Sequence, residues 1–499
     1  MRVSGPSAPR APGRVLRWVA AAVLAGSLLR LGVVVAAQLA WPFDLRYETP
    51  NLCTVQVIRD GGDPYSPSTY AAAPFVLTQY APAYLWLVAW LPSVPGRPFL
   101  VGRCVSVVAM LTVAALLFLV DGRGTQRALA ALAAGWFFLL HATLAHTADF
   151  RVDALALALS IGSLVLLVGG GRWRVMLAAL LCSLAVATRQ SSVAAAGAGL
   201  VFLWLSDRRA ALRFGGLVAL LLGGGALAAT LSWGEGFWFS LLAATRQPRS
   251  LELFATQWGL MLRQPAFLLV VVAGTWAAVT SLKQRPLQSS PWLAYALVSG
   301  AVLLVTSSTI GTHEGHFLEF GAALLCWLVF ALGRRADARR DGRRVAAPAA
   351  LLLCAAIAVH ELVVIGTDAP GLALPSGPEA ELTATRHASL RASFDARGIA
   401  HGDVLSLGST RDAACVAERV CLSPAWLYDQ LWTTGDLSHV PLLEALRRGA
   451  FDLVVVASSV PFPPQSESHR SRDEVLRAVA EFYDPLGEDA ILRYFRRRD

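Results

Sequence analysis

Eleven apolar runs divide the first 366 residues of this chain, and they leave room for few architectures. They fall at 15–39, 99–120, 128–146, 152–169, 175–187, 192–205, 214–233, 266–282, 292–308, 317–332 and 346–366. Most approach the roughly 20 residues that an apolar helix needs to cross a bilayer. The two short ones, 175–187 and 192–205, are separated by TRQSS. In lipid the backbone must satisfy its own polar groups, so runs of this kind fold as helices. Only 15% of the residues are charged and 55% are hydrophobic, against about 25% charged in a soluble domain. The chain therefore reads as a polytopic α-helical membrane protein with about 11 transmembrane helices.

The net charge of +9 does not point to nucleic acid. Its arginines sit in short clusters between apolar runs, which is the pattern of topology signals. With the N-terminus inside, the cytoplasmic loops receive Arg123 and Arg127, Arg172 and Arg174, Arg208, Arg209 and Arg213, Lys283 and Arg285, and the series Arg334, Arg335, Arg339, Arg340, Arg343 and Arg344. A twelfth apolar segment, 75–94, would place all five clusters outside if it crossed. It is expected to lie in the outer interface instead, with Tyr80, Tyr84, Trp86 and Trp90 at headgroup level. The first run, preceded by Arg2, Arg10 and Arg14, is longer than a cleaved signal core of about 7–15 residues, so it reads as a retained span.

The same parity gives a domain plan. Residues 1–14 are a cytoplasmic N-terminus. Residues 15–366 form the transmembrane catalytic domain, with a first outer loop at 41–98. Residues 367–499 form a small extracytoplasmic α/β domain. In that tail VLSLG (404–408) and FDLVVVAS (451–458) read as buried parallel strands. HVPLLEALRRG (439–449) and RDEVLRAVAEFY (472–483) read as helices. No phosphate-binding glycine loop is present in it. Cys415 and Cys421 lie close enough in sequence to bridge in an oxidising compartment.

Polar groups gather in the outer loops. The first loop carries Asp44, Arg46 and Glu48; HTADFRVD carries His146, Asp149, Arg151 and Asp153; TRQ carries Arg189 and Gln190. Arg246, Arg249 and Arg263 follow, then THEGHFLEF with His313, Glu314, His316 and Glu319. Charges beside spans are costly and usually functional, and all five groups fall at one membrane face. Carboxylates can take a proton from an acceptor hydroxyl. Arginines can hold a phosphate bidentately and stabilise a departing one. A lipid-linked sugar phosphate suits such a face. Asp60 and Asp63, with two glycines and Pro64, read as a turn.

The order of features also carries a resemblance. A first span is followed by an outer loop with acids, then GGDPYSP, then YAPAYLWL, then Gly102-Arg103 opening the next span, with FRVDALALALS and TRQSS later. This resembles the GT-C superfamily of membrane glycosyltransferases. It is similar to the family 39-like bacterial relatives of the protein O-mannosyltransferases and lipid A aminoarabinose transferases. The resemblance spans roughly 15–330. It implies a sugar transferred from a polyprenyl-phosphate donor to a hydroxyl of a glycan, lipid or protein, at the outer face of the cytoplasmic membrane. It implies a catalytic acid at Asp44 or Glu48 and a second acid at Asp153. It implies phosphate binding by Arg46, Arg151, Arg189 and Gln190. Tyr80, His313, His316 and Glu319 are the expected substrate and acceptor loop residues. No cofactor is implied; a divalent metal on the histidines and glutamates of THEGHFLEF is the one that the spacing permits. Two other readings compete, a secondary transporter and a non-catalytic envelope assembly protein. A transporter would place charges at the bilayer midplane and show paired repeats.

Overall fold

The computed structural model describes residues 11–41, 44–45, 48–120, 127–243, 249–281, 286–309, 314–338, 403–407, 419–423, 425–457, 470–488 and 492–498. The eleventh apolar run, 346–366, and Cys415 lie outside them, as do Lys283 and Arg285.

Each of the first ten apolar runs contributes a helix. Helix α1 is Ala11–Ala40. The first outer loop holds three short helices, α2 Thr49–Arg59, α3 Pro67–Tyr70 and α4 Pro82–Trp90. Then come α5 Leu100–Leu116, α6 Arg127–Leu139, α7 His141–His146, α8 Asp153–Gly169, α9 Arg172–Thr188 and α10 Ala194–Ser206. They are followed by α11 Arg208–Ala243, α12 Leu251–Leu262, α13 Pro265–Ser281, α14 Pro286–Ser289, α15 Trp292–Thr306 and α16 Phe317–Ala338. Four of the described helices are individually long and apolar enough to cross a membrane. Helices α12 and α13, bent by 93° at their junction, would make a fifth together.

The spans pack both on sequential neighbours, α8 on α9 and α15 on α16, and on distant ones, α8 on α5, α1 on α6 and α15 on α10. Small residues make close contact possible, as expected where lipid and protein are equally apolar. Ala178, Ala179, Ala195 and Ala198 are all fully buried. The run 128–146 is not one helix. Leu140 is extended, and α7 restarts at a new angle. Helix α11 breaks at Gly234 (φ 59°, ψ −144°), a conformation that glycine alone adopts readily. The remainder of α11 returns to the first outer loop. There Gly236 packs so closely that a Cβ would stand 2.1 Å from the Tyr65 carbonyl oxygen. Tyr65 is sealed under Trp86, Trp233 and Phe237.

The apolar segment 75–94 departs from the interfacial helix expected of it. Only Pro82–Trp90 is helical, and nine residues cannot cross a bilayer. Tyr84 is fully buried against Phe150, and its hydroxyl donates to the Gly102 carbonyl. Of its five aromatics, Trp90 alone is broadly exposed, at 79%.

The tail is an α/β unit. Its strands are β1 Asp403–Leu407, β2 Arg419–Cys421, β3 Leu453–Ala457, β4 Tyr483–Glu488 and β5 Leu492–Arg497. They form one sheet in the order β2-β1-β3-β5-β4. The first three are parallel, and β5 and β4 are antiparallel additions. Helices α17 Ala425–Thr434, α18 Val440–Arg447 and α19 Arg470–Phe482 accompany the sheet. In α19, Val475, Leu476, Ala478 and Val479 recur at helical spacing and are buried, which explains why it docks.

Candidate active site

The first acids are set by the start of α2. Pro50 suits a first helical turn, where its missing N–H costs nothing. The Asp44 carboxylate accepts the backbone N–H of Glu48 at 3.0 Å and of Thr49 at 2.8 Å, plus the Thr49 hydroxyl. A carboxylate there satisfies orphan donors and suits the helix dipole. Asp44 and Glu48 therefore do not share a helix face, as a helix over both would require. Asp44 precedes the helix, and Glu48 stands at its N-cap position without a side-chain capping bond.

The Glu48 carboxylate is held elsewhere. Its Oε1 accepts Arg103 Nε at 2.9 Å and the Phe150 N–H at 2.6 Å. Its Oε2 accepts Arg103 Nη2 and the Leu45 N–H at 2.9 Å. Arg103 Nη1 also donates to the carbonyls of Gln38 at 2.8 Å and Trp41. Both partners are fully buried. Gly102, beside Arg103, lets the Phe150 ring approach; a Cβ would stand 2.1 Å from Phe150 Cδ2. Burial pushes the Glu48 carboxyl up to about 7 even though Arg103 pulls it down. That value suits a base; each Glu48 oxygen takes two donors, and the Asp44 carboxylate, also 0% exposed, takes three in all.

The HTADFRVD segment lies alongside. Asn51 donates to the Phe150 carbonyl at 2.8 Å, tying it to α2. His146 Nδ1 and Asp149 Oδ2 are 2.6 Å apart. Arg151 Nε donates to Asp153 Oδ2 at 3.1 Å, and Arg189 Nη1 lies 3.2 Å from Asp153 Oδ1. Arg151 Nη2 reaches the Tyr80 hydroxyl at 3.5 Å, a long contact. Gln190 Nε2 donates to the Gln79 carbonyl at 2.9 Å. Glu314 Oε1 is 3.9 Å from His146 Nε2. His316 lies in the short turn 314–316 that leads into α16. Glu319 accepts the Tyr295 hydroxyl at 3.0 Å and lies within the electrostatic reach of Arg189.

Four of the five polar groups marked in the sequence thus meet at one end of the bundle. Arg46, Arg246 and His313 lie outside the described residues. Arg249 pairs through its backbone with Thr309, and Arg263 ends α12. Among the described residues, no three His, Cys, Asp or Glu side chains are grouped to hold a metal ion. Sequence reasoning assigned no role to Arg103, although a lone arginine near the start of an apolar run was a usable signal. It also gave no role to Asn51. A separate cavity of about 180 Å³ lies further along α2, lined by Cys53, Gln56, Val57 and Asp60 on the helix and by Thr69, Pro74 and Val76 opposite. It does not include Asp44, Glu48 or Asp153.

No protein-family model matches the sequence, and no curated protein is similar to it. Solved structures share its fold. ArnT from Cupriavidus metallidurans, in a crystal structure bound to undecaprenyl phosphate, aligns with a TM-score of 0.59 at 12% identity, over 97% of this chain and 98% of that one. The Archaeoglobus fulgidus oligosaccharyltransferase, in complex with Zn and sulfate, aligns with a TM-score of 0.53 at 13% identity, over 88% of this chain and 68% of that one. AglB from Archaeoglobus fulgidus, in complex with an inhibitory peptide and a dolichol-phosphate, gives 0.53 at 12% identity, over 96% and 74%. The protein therefore shares the fold of these two enzymes, and four of its described helices are long and apolar enough to cross a membrane.

Proposed function

We propose that this protein transfers a sugar from a polyprenyl-phosphate donor to an acceptor hydroxyl at the outer face of the cytoplasmic membrane. The observation that carries the reading is a chain of contacts at one end of the bundle: Asp44 accepts the Glu48 N–H, the Glu48 carboxylate accepts the Phe150 N–H, and the next residue, Arg151, joins Arg189 on Asp153. The similar structures with undecaprenyl phosphate and dolichol-phosphate support a lipid-phosphate ligand here.

In this reading Asp44 is the general base and takes the proton of the acceptor hydroxyl. The acceptor oxygen forms a bond to the anomeric carbon. The bond from that carbon to the phosphate oxygen breaks, and the lipid phosphate leaves with the electron pair. Arg151 and Arg189 hold its charge, assisted by Arg46 and Gln190, and Asp153 keeps the two arginines parallel until donor arrives. Tyr80, His313, His316 and Glu319 border the donor and acceptor. Glu48 serves as the anchor of the loop that carries Asp44. The purified protein, given a set of polyprenyl-phosphate sugars and a membrane glycan extract, should release polyprenyl phosphate. Asp44→Asn should abolish release while donor binding is retained. Absence of release with every donor, together with no build-up of lipid-linked sugar in a deletion strain, would refute the assignment.

A further inference from the structure

The α/β unit and the first outer loop are joined by backbone. The Leu422 N–H donates to the Pro74 carbonyl at 3.0 Å, the Ser423 N–H to the Phe75 carbonyl at 2.9 Å, and the Leu77 N–H to the Ser423 carbonyl at 2.9 Å. Val76 and Ser423 thereby form a parallel bridge. The Tyr428 hydroxyl donates to the Tyr70 carbonyl at 2.8 Å. Tyr70, Phe75 and Leu77 are part of the same apolar core as Leu405, Leu427, Tyr428 and Phe451.

Two non-glycine residues among those described have a left-handed backbone, Phe75 (φ 58°) and Leu422 (φ 66°). They stand on opposite sides of this one bridge, and both are buried. Left-handed backbone at bulky residues persists only where the surroundings over-determine it, and it gathers at functional sites. The segment that Phe75 begins leads straight into the candidate site. Thr78 shares a hydrogen bond with Thr54 of α2 at 3.2 Å. The Gln79 carbonyl accepts Gln190, the Tyr80 carbonyl accepts Tyr65, and the Tyr80 hydroxyl faces Arg151.

We propose that the C-terminal α/β unit is a positioning element for the site. By gripping residues 74–77 it fixes the Gln79 and Tyr80 wall against Arg151 and Gln190. The inference rests on the glycosyltransferase reading for its kinetic consequence, but not for its structural one. Ser423 and Tyr428 are positioning residues and touch no substrate. The unit acts on the transmembrane site by holding the chain on the site's near side.

The test uses the full-length protein in its membrane. Gln79→Cys reports the wall through its reactivity with an impermeant thiol reagent, read at that position by mass spectrometry. Leu87→Cys, on α4, serves as the reference. Ser423→Pro removes the N–H given to Phe75, and Tyr428→Phe removes only the hydroxyl given to Tyr70. Losing one such hydrogen bond should raise reactivity at position 79 by about 2- to 12-fold, with position 87 unchanged. The loss of donor kcat/KM in either variant should shrink when Tyr80→Phe is already present. Unchanged reactivity at 79, a parallel rise at 87, or equal kinetic losses in both backgrounds would overturn the proposal. The expected labelling pattern in a protein that transfers no sugar would uphold the positioning role and count against the enzyme reading alone.

Discussion

Glu48 and Asp153 are two buried carboxylates at the same end of the bundle, each paired with arginine, yet they are built differently. Glu48 takes two guanidinium bonds and two backbone N–H bonds, and both it and Arg103 are 0% exposed. Asp153 divides its oxygens between two arginines at 3.1 and 3.2 Å, and those arginines keep 8% and 9% exposure. Removing one partner of a buried pair leaves a charge stranded. The first pair is thus a fixed joint between α2, α5 and the HTADFRVD segment. In the second, under the proposed function, the donor phosphate would take the place of the one shared carboxylate, Asp153, on both arginines.

Four experiments can break or sharpen that contrast. Asp44→Asn keeps one of the two oxygens that cap α2 and removes the charge, so transfer should fall by about 10²–10⁴-fold with protein levels and donor binding intact; turnover at saturating donor measures it. Glu48→Gln and Arg103→Leu should act on folding instead, costing about 3–5 kcal/mol each, seen as loss of folded protein on heating in detergent. Replacing both together, as Glu48→Leu with Arg103→Met, should recover much of that loss. If the single variants keep full stability and lose only turnover, Glu48 is the base and the contrast collapses. Arg151→Ala or Arg189→Ala should leave the fold intact and weaken donor use by roughly 10–150-fold, since a charge-assisted contact contributes about 1.5–3 kcal/mol; donor titration of initial rates measures it. Tyr295→Phe, which frees Glu319 of its hydroxyl, should cost only about 0.5–1.5 kcal/mol of stability, and a thermal shift reads this smallest effect.

The spans were legible because apolar length is a strong signal, and the first ten runs carry helices. The break at Leu140 was not, since neither glycine nor proline marks it and packing alone sets the angle. Strands β1 and β3 were readable as the short apolar runs of VLSLG and FDLVVVAS, and they are adjacent and parallel. The two edge additions, β4 and β5, have mixed polarity and gave no such pattern. At the site, the acids and arginines were visible as charges that an apolar chain would otherwise shed. Their pairing was not. Pro50 marks the start of α2 and rules out a helix through Asp44, a detail that spacing alone obscured. The grip of Ser423 on Phe75 is a bridge of single residues, and no periodicity announces it.

That bridge has a consequence for the making of the protein. Its two sides lie roughly 350 residues apart in the chain. At about 5–20 residues per second during synthesis, residues 70–77 wait roughly 20–70 seconds before the unit that covers them exists. Through that interval Tyr70, Phe75 and Leu77, which end up buried, face solvent as a bare apolar edge. A ribosome stalled before residue 423 leaves a bundle of spans whose first loop is still open. The later-made α/β unit therefore acts as a checkpoint, closing the first outer loop only once residues 419–423 have been made.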